Sequence, residues 1–243
     1  MAAIELANPR ILVITQGKRS FRLTFQPIQR GSWMKYFENI ISVSENQNGK
    51  RVDSFDSSGA KISLVEENLI DATGYQTPSG EAVTTLGGWQ KMLPVSHRQA
   101  AGNILTNISP DEIDEDAPIL LGASSVNLTA IWGIDETGEM KRYTGLMHRF
   151  TTPSAEDQRR YSRDSSRSRT SGGRNGTTHW LGAQATLAEL YDKLILSVEG
   201  YQHNGTDLGS DRAKIIEHMD TYHKVAAAHE LFTPLEQSLD EVM

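Results

Sequence analysis

Two stretches of this chain carry one pattern 126 residues apart, and an internal copy restricts a fold more than any single motif does. Leu69-Ile70-Asp71-Ala72-Thr73-Gly74-Tyr75-Gln76 matches Ile195-Leu196-Ser197-Val198-Glu199-Gly200-Tyr201-Gln202. The same spacing pairs Pro27 with Pro153, and His97-Arg98-Gln99-Ala100-Ala101 with His223-Lys224-Val225-Ala226-Ala227. Without gaps, 59–101 against 185–227 gives seven identities in 43 positions. Apolar periodicity keeps step with those identities on both sides. A tandem duplication is the expectation.

Each copy should open with a β-hairpin. Ile11-Leu12-Val13-Ile14 is an apolar run, Gln16-Gly17-Lys18 carries turn chemistry, and Phe21 to Phe25 alternates with period two. In the second copy Val126 to Trp132 leads to an Asp135-Glu136-Thr137-Gly138 turn and returns through Tyr143 to Phe150. A helix should follow each hairpin. Thr152 before Pro153 fits an N-cap with proline at the first helical position, and Ser32 is the expected cap in the first copy, ahead of Trp33, Phe37, Ile40 and Ile41. The next helix shows as a stripe of Leu187, Leu190, Tyr191, Leu194, Ile195 and Val198, echoed by Ile62, Val65, Leu69 and Ala72. Gly74 and Gly200 should end these helices. A last helix is expected from Ser210 to about Phe232, and at about 95–107 after a separate turn over Trp89 to Leu93, because Pro94 interrupts the first copy.

The fold class is therefore α+β, a ββααα unit made twice. Its boundaries are 1–108 for the first unit, 109–118 for an acidic linker, 119–232 for the second unit, and 233–243 for an acidic tail. The linker, Ser109 to Pro118, holds five acidic residues between prolines. In the tail, Leu235, Leu239 and Val242 could form one amphipathic turn against a partner. A two-stranded sheet is marginal alone, so the two opening hairpins should join into one sheet or be extended by partner chains. Leu23, Phe25, Val65, Leu69, Leu190, Leu194, Val198 and Met219 are the expected core.

The 243 residues include no cysteine, which excludes a disulfide scaffold, cysteine-bound zinc and thiol catalysis. No long apolar run exists to span a membrane, and the start MAAIELANPR, with Glu5 and no apolar centre, does not read as a secretory leader. With 24 Lys+Arg against 31 Asp+Glu, the formal net charge is −7. Against that background Arg159, Arg160, Arg163, Arg167, Arg169 and Arg174 stand out, accompanied by one acid, Asp164. Arginine forks suit phosphate, so this segment is the candidate for an acidic protein surface or nucleic acid, the plain alternative being a solvated loop. The matching loop of the first copy, Glu45 to Ser58, lacks the arginines.

Other chemistry is poorly represented. Gly172-Gly173-Arg174-Asn175-Gly176-Thr177-Thr178 has no lysine and no preceding buried strand, so it is not a P-loop. His218 and His223 lie about 140° apart on a helix and do not converge on a metal. His97 and His223 share the repeat register beside alanines, which fits hydrogen-bonded residues at a helix contact. No G-x-S-x-G elbow or calcium loop is present, so no catalytic residue, metal ligand or cofactor is assigned. An enzyme whose site is assembled only by tertiary contacts is the remaining catalytic alternative.

Phe150-Thr151-Thr152-Pro153-Ser154-Ala155-Glu156, Tyr191-Asp192 with Ser197-Val198-Glu199-Gly200-Tyr201, and His223-Lys224-Val225-Ala226-Ala227 together resemble the bacteriophage tail assembly chaperones that accompany the tape-measure protein. The likeness covers most of 140–232 and, more faintly, 20–105. The tandem duplication and the arginine-rich insertion depart from that pattern. The resemblance implies a non-enzymatic assembly or virion-associated protein of the host cytoplasm, with tape-measure or tail-tube protein as partner. A nucleic-acid partner for the arginine segment is the alternative, and no membrane is involved.

Overall fold

The computed structural model describes residues 3–47, 50–111, 122–134, 138–165, 168–171, 177–180 and 182–232. The first half runs β1 (Ile4–Glu5), β2 (Arg10–Gln16), β3 (Arg19–Phe25), α1 (Arg30–Asn39), β4 (Ile41–Gln47) and β5 (Lys50–Asp56). It continues with α2 (Ser58–Asn68), β6 (Leu69–Thr73), 3-10 turns at Val83–Thr85 and Trp89–Met92, and α3 (Val95–Leu105). After β7 (Ile108–Pro110) come β8 (Ala123–Ile134), β9 (Met140–Thr151), α4 (Ala155–Ser165), β10 (Ser168–Ser171), β11 (Thr177–Trp180) and α5 (Gly182–Leu194). The described chain ends with β12 (Ile195–Val198), β13 (Tyr201–His203), β14 (Thr206–Asp207), α6 (Arg212–His218) and α7 (Thr221–Phe232). The protein is α+β, as expected. Its strands are more numerous than ββααα allows.

Two differences account for the extra strands. A hairpin, β4–β5, follows α1 where a helix end and a loop were expected, and β10–β11 occupies the same place after α4. Alternation at Ile41 and Val43 is the strand signal that a helical reading of Ile40-Ile41 obscures. The expected second helices also stop early, at Asn68 and Leu194, and the chain continues as β6 and β12. The reason is a bulge. Phe25 pairs with Leu69 and Thr24 with Asp71, skipping Ile70; Phe150 pairs with Ile195 and Arg149 with Ser197, skipping Leu196. One extra residue places Leu69 with Ala72, and Ile195 with Val198, on the buried face at a spacing of three, which imitates a helical stripe.

Strand order decides how the halves meet. β2, β3 and β6 form one sheet in that order, and β12, β9, β8 and β7 another, so the opening hairpins do not merge. Each gains its next strand from its own half. The second hairpins do merge, in the order β10-β11-β4-β5, with Val43 opposite Thr177 and Ile41 opposite His179. β1 crosses to the second half and pairs parallel to β13. Ser109 and Pro110, expected in the linker, belong instead to β7, which borders β8. Asp111 is docked too: its carboxylate accepts the Thr129 hydroxyl and, at 2.8 Å, the Gly145 N–H. The rest of that linker, 112–118, lies outside the described residues.

All eight expected core residues are buried. Helix ends differ in detail. Thr152 does not cap α4. Ser154 and Asp157 form a reciprocal box, Ser154 Oγ accepting the Asp157 N–H at 3.2 Å and the Asp157 carboxylate accepting the Ser154 N–H at 3.1 Å. Ser32 lies inside α1 rather than capping it. The last helix of the second half is broken at Met219-Asp220 into α6 and α7, and Asp211, not Ser210, caps α6 through the Lys214 N–H. That break matches the one Pro94 makes before α3.

Gly74 and Gly200 end strands, not helices, with φ of +95° and +84°. A Cβ on Gly74 would meet Ser20 O at 3.0 Å, and one on Gly200 would meet Leu146 Cδ2 at 2.9 Å. Both positive φ and close packing therefore demand glycine. Gly74→Ala and Gly200→Ala should each lower the unfolding free energy by about 1–3 kcal/mol in urea titrations. Gly59→Ala, on an open face of α2, should leave stability unchanged or raise it by about 0.5–1 kcal/mol.

Candidate functional site

The same tertiary contacts occur in both halves. Tyr75 Oη lies 2.8 Å from His97 Nδ1, and Tyr201 Oη lies 2.9 Å from His223 Nδ1. Arg98 pairs with Glu66 on α2, and Lys224 pairs with Asp192 on α5, its Nζ 2.7 Å from Oδ1. All four positions are offset by 126. Contacts kept in both halves are framework. Side chains peculiar to one half mark where the two halves differ.

In the second half the Tyr–His pair grows into a buried chain. Tyr191 Oη lies 2.9 Å from His148 Nδ1, and His148 Nε2 lies 2.9 Å from Tyr201 Oη, which continues to His223. Burial pushes the His148 imidazole down to about 3 and that of His223 well below its ordinary value. Each ring is therefore neutral, with one donor and one acceptor. With Tyr191 donating to His148 Nδ1, the bonds align: His148 Nε2–H donates to Tyr201, and Tyr201 donates to His223 Nδ1. Such a saturated relay holds β9, α5, β13 and α7 together. The expectation of hydrogen-bonded histidines at a helix contact extends here to His148, which the repeat register could not reveal.

The break between α6 and α7 builds the site proper. Asp220 is partly buried, and its Oδ1 accepts the N–H groups of Tyr222 at 2.8 Å and His223 at 3.4 Å. Its Oδ2 accepts Trp33 Nε1 at 3.1 Å, so the cap of α7 also fastens α1 of the other half. Around this joint Trp33, Phe37 and Tyr222 pack ring on ring, with Trp33 and Tyr222 centroids 4.8 Å apart. Arg10 lies buried nearby. Its guanidinium sits 4.2 Å from the Trp132 ring centroid and donates to the carbonyls of Leu105, Ile104 and Ile131. Burial raises the Asp220 carboxyl against the opposing pull of Arg10.

Above this joint opens a cleft of about 350 Å³. One wall comes from 6–10 and 26–30, carrying Arg10 and Arg30; the other comes from 216–224, carrying Glu217, Asp220, Thr221 and Lys224, with Trp132 between. His203 and His218 stack at its rim, centroids 3.7 Å apart. Seen along the sequence these residues are scattered. The shared feature was their singularity: Asp220 and Thr221 stand where the first half has Pro94 and Val95.

The arginine segment is only partly assembled. Arg159, Arg160 and Arg163 lie on α4 around a second depression of about 500 Å³, which Lys193, Glu156 and Asp157 also line. Arg160 pairs with Glu189, Arg163 Nε with Asp164 at 3.1 Å, and Lys193 with Asp157 at 2.6 Å. This face is a network of paired charges rather than a cationic surface. Arg169 lies on β10 opposite His179, its backbone alone described. Arg167, Arg174, Leu235, Leu239 and Val242 lie outside the described residues. Among the described residues no group of three His, Cys, Asp or Glu could hold a metal, and no helix is long and apolar enough to cross a membrane.

Substitutions along the relay separate its middle from its end. Tyr201→Phe removes the hydroxyl between two buried imidazoles and should cost about 2–4 kcal/mol; Tyr191→Phe, at the chain's end, should cost about 1 kcal/mol. Both His148 and His223 have lowered folded-state values, so below pH 6.5 the unfolded chain binds protons that the folded chain does not. Stability should therefore be full above pH 6.5 and fall on acidification, by about 1.4 kcal/mol per pH unit per imidazole, for His148 until its folded-state imidazole titrates near pH 3. Urea midpoints measured between pH 7.5 and about 4.5 read this slope.

The chain matches no protein-family model, no curated protein and no solved structure, so the functional reading stands on the geometry of the chain itself.

Proposed function

We propose that this is a non-catalytic docking protein of the phage tail-assembly type, descended from a duplicated module, that binds structural partners such as tape-measure or tail-tube protein in the host cytoplasm or the particle. The observation that carries the reading is the paired bulge. Ile70 and Leu196, the residues skipped in the ladders of β6 and β12, are 51% and 43% exposed at matching positions of the two halves. Each bulge carries a large aliphatic residue outward on a border strand. Two such residues in one register suit a partner that touches both halves.

Support for duplication comes from the recurrent Tyr–His contact, the recurrent ion pair and the two positive-φ glycines. Support for a non-catalytic role comes from the interior: His148 and His223 are neutral and engaged, so they supply no poised acid or base.

Co-expression with phage tape-measure and tail-tube proteins, with size-exclusion chromatography as the readout, tests the reading. A stable complex is expected. Ile70→Asp with Leu196→Asp should weaken it at least about tenfold, by roughly 1.4 kcal/mol or more, while the urea midpoint stays within about 0.5 kcal/mol of the parent. Failure of either protein to bind overturns the assignment. Salt-steep binding of DNA or RNA, lost on replacing Arg159, Arg160 and Arg163 by alanine, would move the function to the arginine segment.

A further inference from the structure

The cleft over Asp220 retains hydrogen-bonding capacity that its neighbours do not take up. Arg10 donates through both terminal nitrogens, yet its buried Nε has no partner. Lys224 gives two of its three ammonium hydrogens to Asp192 Oδ1 and Ile216 O, at 2.7 and 2.6 Å. The Thr221 hydroxyl, on a residue 5% exposed, makes no hydrogen bond to the described residues. Three donors, one on β2 and two on α7, thus remain around one cavity.

Charge points the same way. Asp220 is opposed by Arg10, and Asp192 by Lys224. Arg30, half exposed at the mouth, has only a 3.7 Å approach to Asp192, which Lys224 already holds. Glu217 is turned to the rim beside His218. With the Glu217 side chain mostly in solvent, Arg30 is the cation at the mouth without a carboxylate of its own. A doubly charged phosphate would exceed that single charge and face the Asp220 carboxylate, whereas a cationic ligand would meet donors with nothing to accept. Ile28, Ile216, Met219 and Trp132 add an apolar lining.

We propose that this cleft binds a small monocarboxylate with an apolar body, its carboxylate held by Arg30 and Thr221 and its body against Ile28, Ile216 and Met219. About 350 Å³ accommodates a ligand of amino-acid size. The carboxylate could belong to a free acid or to the C-terminus of another chain, since both offer the same group. Nothing in this site depends on Ile70 or Leu196, so it stands or falls apart from the docking reading.

Calorimetric titration of the full chain with N-acetyl-leucine, N-acetyl-leucinamide and 4-methylpentanoate tests it. An acid should bind with Kd of about 1 mM or tighter, and the amide should bind at least about tenfold more weakly. Arg30→Ala and Thr221→Val should each weaken the acid about tenfold, and Arg159→Ala should not. Indole NMR signals locate the ligand at Trp132. Binding of 4-methylpentanoate assigns the site to free acids; binding of N-acetyl-leucine alone assigns it to a chain terminus. The proposal is overturned if neither acid saturates below about 10 mM, if the amide binds equally, or if both variants bind like the parent.

Discussion

Asp220 is the joint on which the arrangement of the two halves depends. It interrupts what would be one long helix, starts α7 by accepting two of its first N–H groups, and takes the Trp33 indole from α1. Without the interruption α6 would continue along the axis of α7, and the wall 216–224 would not face 26–30. A carboxylate drawn partly out of water needs hydrogen bonds in exchange, and three donors from two halves meet that need here. Its cap and its cross-half bond are inseparable, because the same two oxygens make both.

The duplicated contacts and the singular ones do different things. Tyr75 with His97, and Tyr201 with His223, join the turn after a border strand to the last helix of each half. Arg98 with Glu66, and Lys224 with Asp192, tie that helix to the one before it. The two halves differ at the edges of this frame. His97 reaches Gln16 at a partly exposed position, while His223 stands edge-to-face against Trp132 beside buried Arg10. Pro94 and Asp220 both break a helix at one place, the first by lacking an N–H and the second by capping the helix after it. The second borders the polar cleft.

Local physics determines how much of this was legible in the sequence. The 126-residue period was legible because it rests on glycine, tyrosine, histidine and proline, residues whose backbone and hydrogen-bond requirements tolerate little change. Core positions were legible from apolar spacing alone. The strands β6 and β12 were not, because a bulge converts the alternation of two into a spacing of three, and that spacing belongs to helices. Likewise the helix break at Asp220 left no proline to announce it. The cleft was invisible for a further reason: Arg10, Trp132 and Asp220 are brought together by sheet closure and helix packing, with no short-range pattern between them.

The bulges that hid those strands also sit where the protein is bonded internally and still presents apolar side chains. A regular strand offers alternate residues to core and solvent, so Ile70 and Leu196 beside buried neighbours would face water in any case; the bulge adds Asp71 and Ser197 to that side before Ala72 and Val198 return to the core. In β6 and β12 the skipped residue leaves the ladder, its neighbours close over the core, and the sheet keeps its register on both sides. Ile70 and Leu196 are therefore not errors of burial in a loosely packed fold, since Leu69, Ala72, Ile195 and Val198 beside them are buried. The same local defect in both halves accompanies an outward side chain of the same kind.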